Sequence, residues 1–438
     1  MVVVTMSLGA VILLLMLMCG LGRVTSKDDQ QEGKEEEEKK TKKEPQQQSK
    51  KKSHGKNQRG PRGPKSFSHP LLAATLKEHS DNILDLDFSI NGKYLASCAE
   101  DRTVRLWSVK DFKEKEHKCV RGNVEYDHAT RVKFSPDCKA FITSLAIGNT
   151  VRVFKTGKKD DGAAQISAGL DFPKKSSQDI INIGLGSNSN GSFVMTAYRD
   201  TTIHIWDTKG EILATLDTHH MNNNYAAVSP CGRFVASCGF TPDVKVWAVV
   251  FNKGGEFVEV RRAMELKGHK ASVYYFSFNI DTTRTATVSK DGTWKLWDTE
   301  VEYNKNQDPY LLYTGSYTHL GPSLIALSAD ANSLAIAHSN RLWVFNTKSG
   351  EEEESFEDVH TQPIAKVAFD PSGRYLATTG DRHLRILHNV TGLRANILDM
   401  ETKMKKHTTS KALKERLEHQ IQETRNKLAE ILGETKEE

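Results

Sequence analysis

Residues Lys93 to Trp107 read KYLASCAEDRTVRLW. An alternating apolar run (Tyr94, Leu95, Ala96, Ser97) leads into a polar turn at Glu100-Asp101-Arg102. A second alternating run (Val104, Leu106, Trp107) follows. Period-two alternation on both sides of a tight turn predicts a β-hairpin.

Altered copies recur from about Leu71 to His388, at intervals of about 40 to 50 residues, the period of four-stranded propeller blades. They end in turn at Trp107, Phe154, Trp206, Trp247, Trp297, Phe345 and Leu387. Turn-forming clusters such as Asn91-Gly92, Ser229-Pro230-Cys231-Gly232 and Asp370-Pro371-Ser372-Gly373 separate the strands within each copy. One such sheet cannot bury both of its faces, so the copies must stack radially. Seven copies close a ring.

The Gly268-His269 start, the segment from Leu95 to Asp101, and the Trp206-Asp207 and Trp297-Asp298 pairs resemble the WD40-repeat family. The resemblance implies an all-β, seven-bladed β-propeller without catalytic activity, closed by N-terminal residues that supply the outer strand of the last blade, a role for which Leu71 to Lys77 is apolar enough. It also implies a hydrogen-bonded tetrad within a blade, formed by a His from the loop leading in, a Ser or Thr on the second strand, the turn Asp and the Trp. Carried over by position, His79, Ser97, Asp101 and Trp107 form one, and His269, Thr287, Asp291 and Trp297 another. The third copy keeps Asp200 and Trp206 without the His, and the seventh keeps His360, Thr378 and Asp381 but ends on Leu387. Copies two, four and six have Gly148, Thr241 and Ser339 at the aspartate position and are expected to rely on apolar packing.

Basic residues flank the turn aspartates at Arg102, Arg199, Lys290 and Arg382. A face rimmed by such side chains suits an acidic peptide, an acidic protein surface or RNA, so these four are the partner-binding candidates. A catalytic reading of His79, Ser97 and Asp101 is set aside, because a triad needs an exposed nucleophile and an oxyanion hole. Gly184-Leu185-Gly186 does not complete a dinucleotide fingerprint, and the chain lacks a phosphate-binding lysine motif and H-E-x-x-H. No metal, cofactor or small-molecule substrate is expected.

The flanks of the repeats differ in composition. Residues 1–22 are apolar except for Thr5 and Ser7, long enough for a membrane-spanning helix. No Lys or Arg precedes the run and no A-x-A site follows it, which favours a signal-anchor over a cleaved signal peptide. Arg23, Lys27, Lys34, Lys39 and Lys40 follow it, so the positive-inside rule puts the rest of the chain in the cytosol. Insertion at the endoplasmic reticulum membrane is the expected route for such an anchor. Two sequons, at Asn190 and Asn389, would be modified only in the opposite topology.

Residues 23–67 form a charged neck too poor in large apolar side chains to fold alone. Within it Ser49 to Lys65 carries Lys50, Lys51, Lys52, Lys56, Arg59, Arg62 and Lys65 and no acid. This run reads either as a solvated tether or as a contact for RNA, ribosome or anionic lipid. No aromatic interleaves it, so base stacking is not indicated.

The repeats occupy residues 68–390. In the tail, 391–438, Leu413, Leu417, Ile421, Leu428, Ile431 and Leu432 fall at helical spacing over 409–432, with Thr409 or Ser410 as N-cap. That stripe suits docking on the propeller or pairing with a partner helix. Glu351 to Glu354 fall where the sixth copy's outer strand is expected; charges on an edge strand ordinarily serve to block pairing, and an acidic binding patch is the alternative reading.

The net charge of +5 excludes a whole-chain polycation, and six cysteines without C-x-x-C argue against a disulfide framework or zinc site. The combined expectation is a non-enzymatic, membrane-anchored scaffold at the cytosolic face of the endoplasmic reticulum. Its partners would be cytosolic proteins or protein complexes, with RNA or ribosomes as a second class, in signalling or translation control. An RNA-binding protein using neck and rim, and a secreted propeller, are the competing readings.

Overall fold

The computed structural model describes residues 67–158, 164–318, 321–405 and 410–433. The expected anchor helix, nearly all of the neck and all seven polyanion candidates, Lys50 to Lys65, lie outside them. Among the described residues no helix is long and apolar enough to cross a membrane.

Seven four-stranded antiparallel sheets make up the repeat region. Blade one runs Ile83–Phe88, Tyr94–Ala99, Thr103–Ser108 and Cys119–Asn123 from axis to rim. The quoted stretch is its central hairpin, with Leu95 opposite Trp107 and Ser97 opposite Arg105. Blades two to six follow within 129–171, 180–217, 223–267, 273–316 and 324–356. Blade seven is composite. Lys366–Phe369, Tyr375–Thr379 and Leu384–His388 come from the end of the repeats, and Leu72–Leu76 adds the outer strand antiparallel to Leu384–His388. Joining first and last strands in one sheet removes the open interface that an unclosed row of blades would leave.

Apolar side chains fill the spaces between neighbouring blades. Leu86, Leu95 and Trp107 of blade one pack with Tyr375, Leu384 and Ile386 of blade seven, while Cys98, Val104 and Leu106 pack with Val132, Phe141 and Phe154 of blade two. Around the axis, inner strands are further latched by polar side chains. Asp85 accepts a hydrogen bond from the Val132 amide at 3.0 Å, Arg131 Nε donates to the Ile181 carbonyl at 2.8 Å, and Asn224 Nδ2 donates to the Val273 carbonyl at 2.8 Å. These bonds satisfy backbone groups on the open edges of the inner strands of blades two, three and five, which have no strand partner across the seam. All five cysteines of the described residues are free.

Two helices follow the ring, α1 (Val390–Lys405) and α2 (Lys411–Leu432). Ser410 caps α2, its hydroxyl accepting from the Leu413 amide at 3.3 Å, and Gly433 closes it in the left-handed conformation. Leu417 and Ile421 are buried, Leu428, Ile431 and Leu432 pack on the core between blades six and seven, and Arg425 reaches Glu401 of α1 at 2.6 Å. Of the two uses open to the stripe, docking on the propeller is the one observed.

Helix α1 was not anticipated. Its buried residues are Val390, Thr391, Gly392 and Ala395, too small and too close together to print an apolar period. Its one legible signal is Asn389, whose side-chain oxygen accepts from the Gly392 amide at 3.0 Å.

Candidate interaction face

In blade one the loop leading in and the turn between second and third strands meet at one end of the sheet. Trp107 Nε1 donates to Ser97 Oγ at 2.9 Å, Ser97 Oγ lies 2.8 Å from His79 Nε2, and His79 Nδ1 lies 2.9 Å from Asp101 Oδ2. With a neutral imidazole, one set of protons satisfies the whole chain: the serine hydroxyl donates to Nε2 and the Nδ1 proton goes to the carboxylate. Asp101 also accepts from the Ser80 amide at 3.1 Å and from the Thr103 hydroxyl at 2.6 Å.

Burial disfavours the imidazolium of His79 more than Asp101 favours it, so the histidine pKa lies below its ordinary value. Burial also opposes the Asp101 carboxylate, but the bonds from His79 and Thr103 outweigh it and hold its pKa well below the usual range.

Blade five repeats the geometry. His269 lies 3.0 Å from Asp291 and 2.7 Å from Thr287, and Trp297 donates to Thr287 at 2.9 Å. Against the cost of burial, bonds from Thr293 and the Lys270 amide bring Asp291 down to about 2. Neither set can serve nucleophilic catalysis: Ser97 and Thr287 are fully buried, and each hydroxyl oxygen already faces both a tryptophan and a histidine.

The partial copies hold together in ways that fixed motif positions did not show. In blade seven, where Leu387 replaces the Trp, Arg385 Nη1 donates to Asp381 at 2.9 Å, while His360 keeps Thr378 at 2.9 Å. In blade three Trp206 donates to Thr196 at 2.8 Å, and the Thr196 hydroxyl turns to the Tyr198 hydroxyl at 3.4 Å in place of a histidine.

Blades two and four depart from the expectation of purely apolar support. Asp127 of the loop leading into blade two accepts from the amides of Ile147 (2.9 Å) and Gly148 (2.8 Å) in the turn. The carboxylate is present on the opposite partner. In blade four His220 Nδ1 bonds the Thr241 hydroxyl and Nε2 meets the Ser237 carbonyl at 3.1 Å. Burial, helped by Lys245, pushes His220 down to about 4. A spacing of 21 residues, Asp127 to Gly148 and His220 to Thr241, was the available signal (148 − 127 and 241 − 220). In blade six Ser339 contributes its carbonyl, which accepts from the Ile364 amide at 2.7 Å.

Because the aspartates are held inside, their neighbours project outward. Arg102, Arg199, Lys290 and Arg382 are all exposed, and they stand on the same topological turn of blades one, three, five and seven. Arg199 has a loose, exposed contact with Asp179 at 3.7 Å, and the other three form no ion pair among the described residues. Arg102 has a φ of 59°, a left-handed conformation that this turn imposes on a non-glycine residue.

Inside this rim the axial channel opens into a vestibule of about 540 Å³, lined by Arg131, Arg199, Asn222, Asn224, Tyr274 and Lys366 among others. Its floor is a bar across the channel: Lys366 of blade seven donates to the Tyr275 hydroxyl at 2.6 Å, and its ammonium lies 5.5 and 5.4 Å from the Tyr225 and Tyr275 ring centres. The two rings stack with centroids 3.6 Å apart. Beyond the bar a second cavity of about 290 Å³ opens on the opposite face, with walls that include Phe88, Phe134, Phe278 and Phe369. Asp87, Lys133 and Asp370 stand in the same wall, so this mouth mixes aromatic with oppositely charged side chains, whereas the charged lining of the vestibule is mainly basic.

A family model for the WD domain, G-beta repeat, matches residues 71–108, 178–207, 261–298 and 352–387. These segments end on blades one, three, five and seven, the blades that keep a turn aspartate. Three of them, 71–108, 261–298 and 352–387, take in outer-strand residues of the preceding blade, so each of those three spans two neighbouring sheets. The chain is 55% identical over 369 residues to transducin beta-like protein 2 of Mus musculus, covering 84% of this chain and 83% of that protein. It is 54% identical over 370 residues to the Homo sapiens protein of the same name, covering 84% and 82%. Striatin-3 of Bos taurus is 27% identical over 237 residues, 53% of this chain and 28% of that protein. The chain belongs to the WD40-repeat family and is similar over most of its length to transducin beta-like protein 2.

Proposed function

We propose that the protein is a non-enzymatic scaffold, anchored by its N-terminal apolar segment in the endoplasmic reticulum membrane, whose cytosolic propeller recruits acidic proteins to its basic face. The observation that carries the reading is the division of labour at the turns. Asp101 and Asp291 are committed to buried networks, while Arg102, Arg199, Lys290 and Arg382 stand exposed around a polar vestibule. Spaced cationic side chains on a rigid ring favour an acidic peptide or protein surface through complementary potential. RNA or ribosome contact is the second reading, supported by the acid-free run from Ser49 to Lys65.

The test replaces Arg102, Arg199, Lys290 and Arg382 together with Glu and compares proximity labelling from the propeller in cells. The expected result is loss of acidic protein neighbours at unchanged melting temperature. Neutralising Lys50, Lys51, Lys52, Arg59 and Arg62 separately tests RNA crosslinking, which persists unchanged if the neck is only a tether.

Topology is read at Asn190, which is exposed. Asn389 is a poor reporter, because it is 3% exposed and its side-chain amide donates to Ser333 and to the Gly373 carbonyl, each at 2.9 Å. Glycosidase sensitivity at Asn190 would place the propeller in the lumen and overturn the cytosolic reading.

A further inference from the structure

Outer strands of adjacent blades treat their free edges differently. In blade six the outer strand Glu352–Phe356 presents glutamates, and Glu353 and Glu354 are engaged by Arg394 of α1. In blade five the outer strand Tyr310–Ser316 reads YLLYTGS, with Tyr310 60% exposed, Leu311 47% and Leu312 48%. It pairs with Thr293–Asp298 along one edge only, and no strand of the described residues pairs with the other. Large apolar side chains on an unpaired edge are what soluble proteins ordinarily avoid, using charge, proline or cover. Blade five has neither charge nor cover at Tyr310 to Leu312; Pro309 precedes the strand and one bulge falls between Leu311 and Tyr313, leaving the apolar side chains exposed.

The edge is firmly set. Tyr313 donates its hydroxyl to the Ser349 carbonyl at 3.3 Å, against the loop that leads into the glutamate strand. Upstream, Asp308 accepts from the Glu265 amide at 3.1 Å and from Lys267 at 3.2 Å, fixing the start of the strand on blade four.

The surroundings are acidic. Glu302 and Asp308 are paired with Lys305 and Lys267, whereas Glu300 ahead of the strand and Glu351 and Glu352 just beyond the Tyr313 contact are exposed and form no ion pair among the described residues. A second copy of this chain would bring the same acids to the same edge, and like charges brought together oppose pairing.

We propose that Tyr310–Ser316 is a docking edge for an extended segment of another protein, which adds a fifth strand to blade five. The segment is apolar at alternate positions and carries Lys or Arg at its ends. Main-chain bonds to the free edge supply affinity, Tyr310, Leu311 and Leu312 take the apolar side chains, and Glu300, Glu351 and Glu352 select the basic ends. This edge is separate from the basic face, so losing one function leaves the other.

The test measures fluorescence anisotropy of a labelled synthetic peptide, alternating valine and threonine between terminal lysines, against the full chain. Replacing Leu311 and Leu312 together with Ser is expected to weaken binding about tenfold or more, with the melting temperature unchanged because both side chains are exposed. A peptide N-methylated at alternate residues, unable to pair along its main chain, is expected to lose binding. So is a peptide with glutamate ends, and Glu351→Lys with Glu352→Lys should restore that one. Equal binding of the parent and N-methylated peptides, or no effect of the Ser substitutions, overturns the proposal. Sedimentation showing a dimer that the Ser substitutions disperse would assign the edge to a second copy and overturn it also.

Discussion

Blades one and two fasten the same loop to the same turn with the charge on opposite partners. In blade one the turn carries Asp101 and the loop supplies His79 and the Ser80 amide; in blade two the loop carries Asp127 and the turn supplies the amides of Ile147 and Gly148. The difference lies in what else each clasp reaches. His79 continues inward to Ser97 and Trp107, tying the turn to the centre of the sheet, whereas Asp127 stops at the backbone. What blades one and two share at this end is a carboxylate meeting donors, with a histidine as one way to supply them, and blade four fastens the same loop and turn through His220 and Thr241 without a carboxylate.

The comparison is broken most severely at Asp101 or Asp291. Replacing either with Ala leaves a buried histidine, a threonine hydroxyl and a backbone amide without their acceptor, and should cost about 3 kcal/mol in urea unfolding. Arg102→Glu, one residue along, should stay within about 0.5 kcal/mol of the parent. Equal losses from the two changes would mean that the turn, not the network, supports the blade.

Asp127→Ala should cost less, about 2 kcal/mol, because it removes one carboxylate from backbone amides that solvent can partly reach. A loss as large as that of Asp101→Ala would show that the inward continuation through Ser97 and Trp107 adds little.

How much of this could be read in advance follows the same division. The two full sets were legible through the family resemblance, whose pattern could be placed because the aspartate recurs six residues before Trp107 and Trp297 and both histidines stand 22 residues before it (101 − 79 and 291 − 269). Closure of the ring by an N-terminal strand was implied by the family resemblance, and apolar character and position marked the segment around Leu72–Leu76 for it. Asp127, His220 and Arg385 were hidden because each performs the fastening with a different group from a neighbouring position, and spacing without residue type is a weak signal. The Tyr310 edge was hidden for another reason: a run of alternating or continuous apolar residues reads as a buried strand until the fold shows that nothing covers it.

Acid sharpens the comparison next. The pKa values of His79, His269, His360 and His220 all lie below the ordinary histidine value, burial being the leading cause in each. A folded-state pKa below the unfolded one means that stability is fully present above about pH 6.5 and is lost as pH falls. For His220 the loss runs from about 6.5 down to about 4. The urea midpoint of the parent should therefore fall between pH 7 and 4.5, and His220→Gln, which cannot titrate, should fall less. Parallel curves would show that His220 is not held neutral.

The smallest change tests whether blade four can be given the chemistry of blade one. In blade four the histidine has the opposite proton arrangement: Nε2 donates to the Ser237 carbonyl, so Nδ1 must accept from the Thr241 hydroxyl. Thr241→Asp replaces that donor with a carboxylate, and His220 can then satisfy both neighbours only as an imidazolium donating from both nitrogens. The substitution should lift the His220 pKa above 6.5 and reverse the sign of its linkage. Its contribution, about 1 kcal/mol for the charge-assisted bond, would be fully present below pH 6.5 and lost as pH rises through the new value. Histidine titration by NMR separates the outcomes: a raised pKa means that the aspartate alone sets the charge of the clasp, whereas one that stays near 4 means that burial and Lys245 govern this blade whatever occupies the turn.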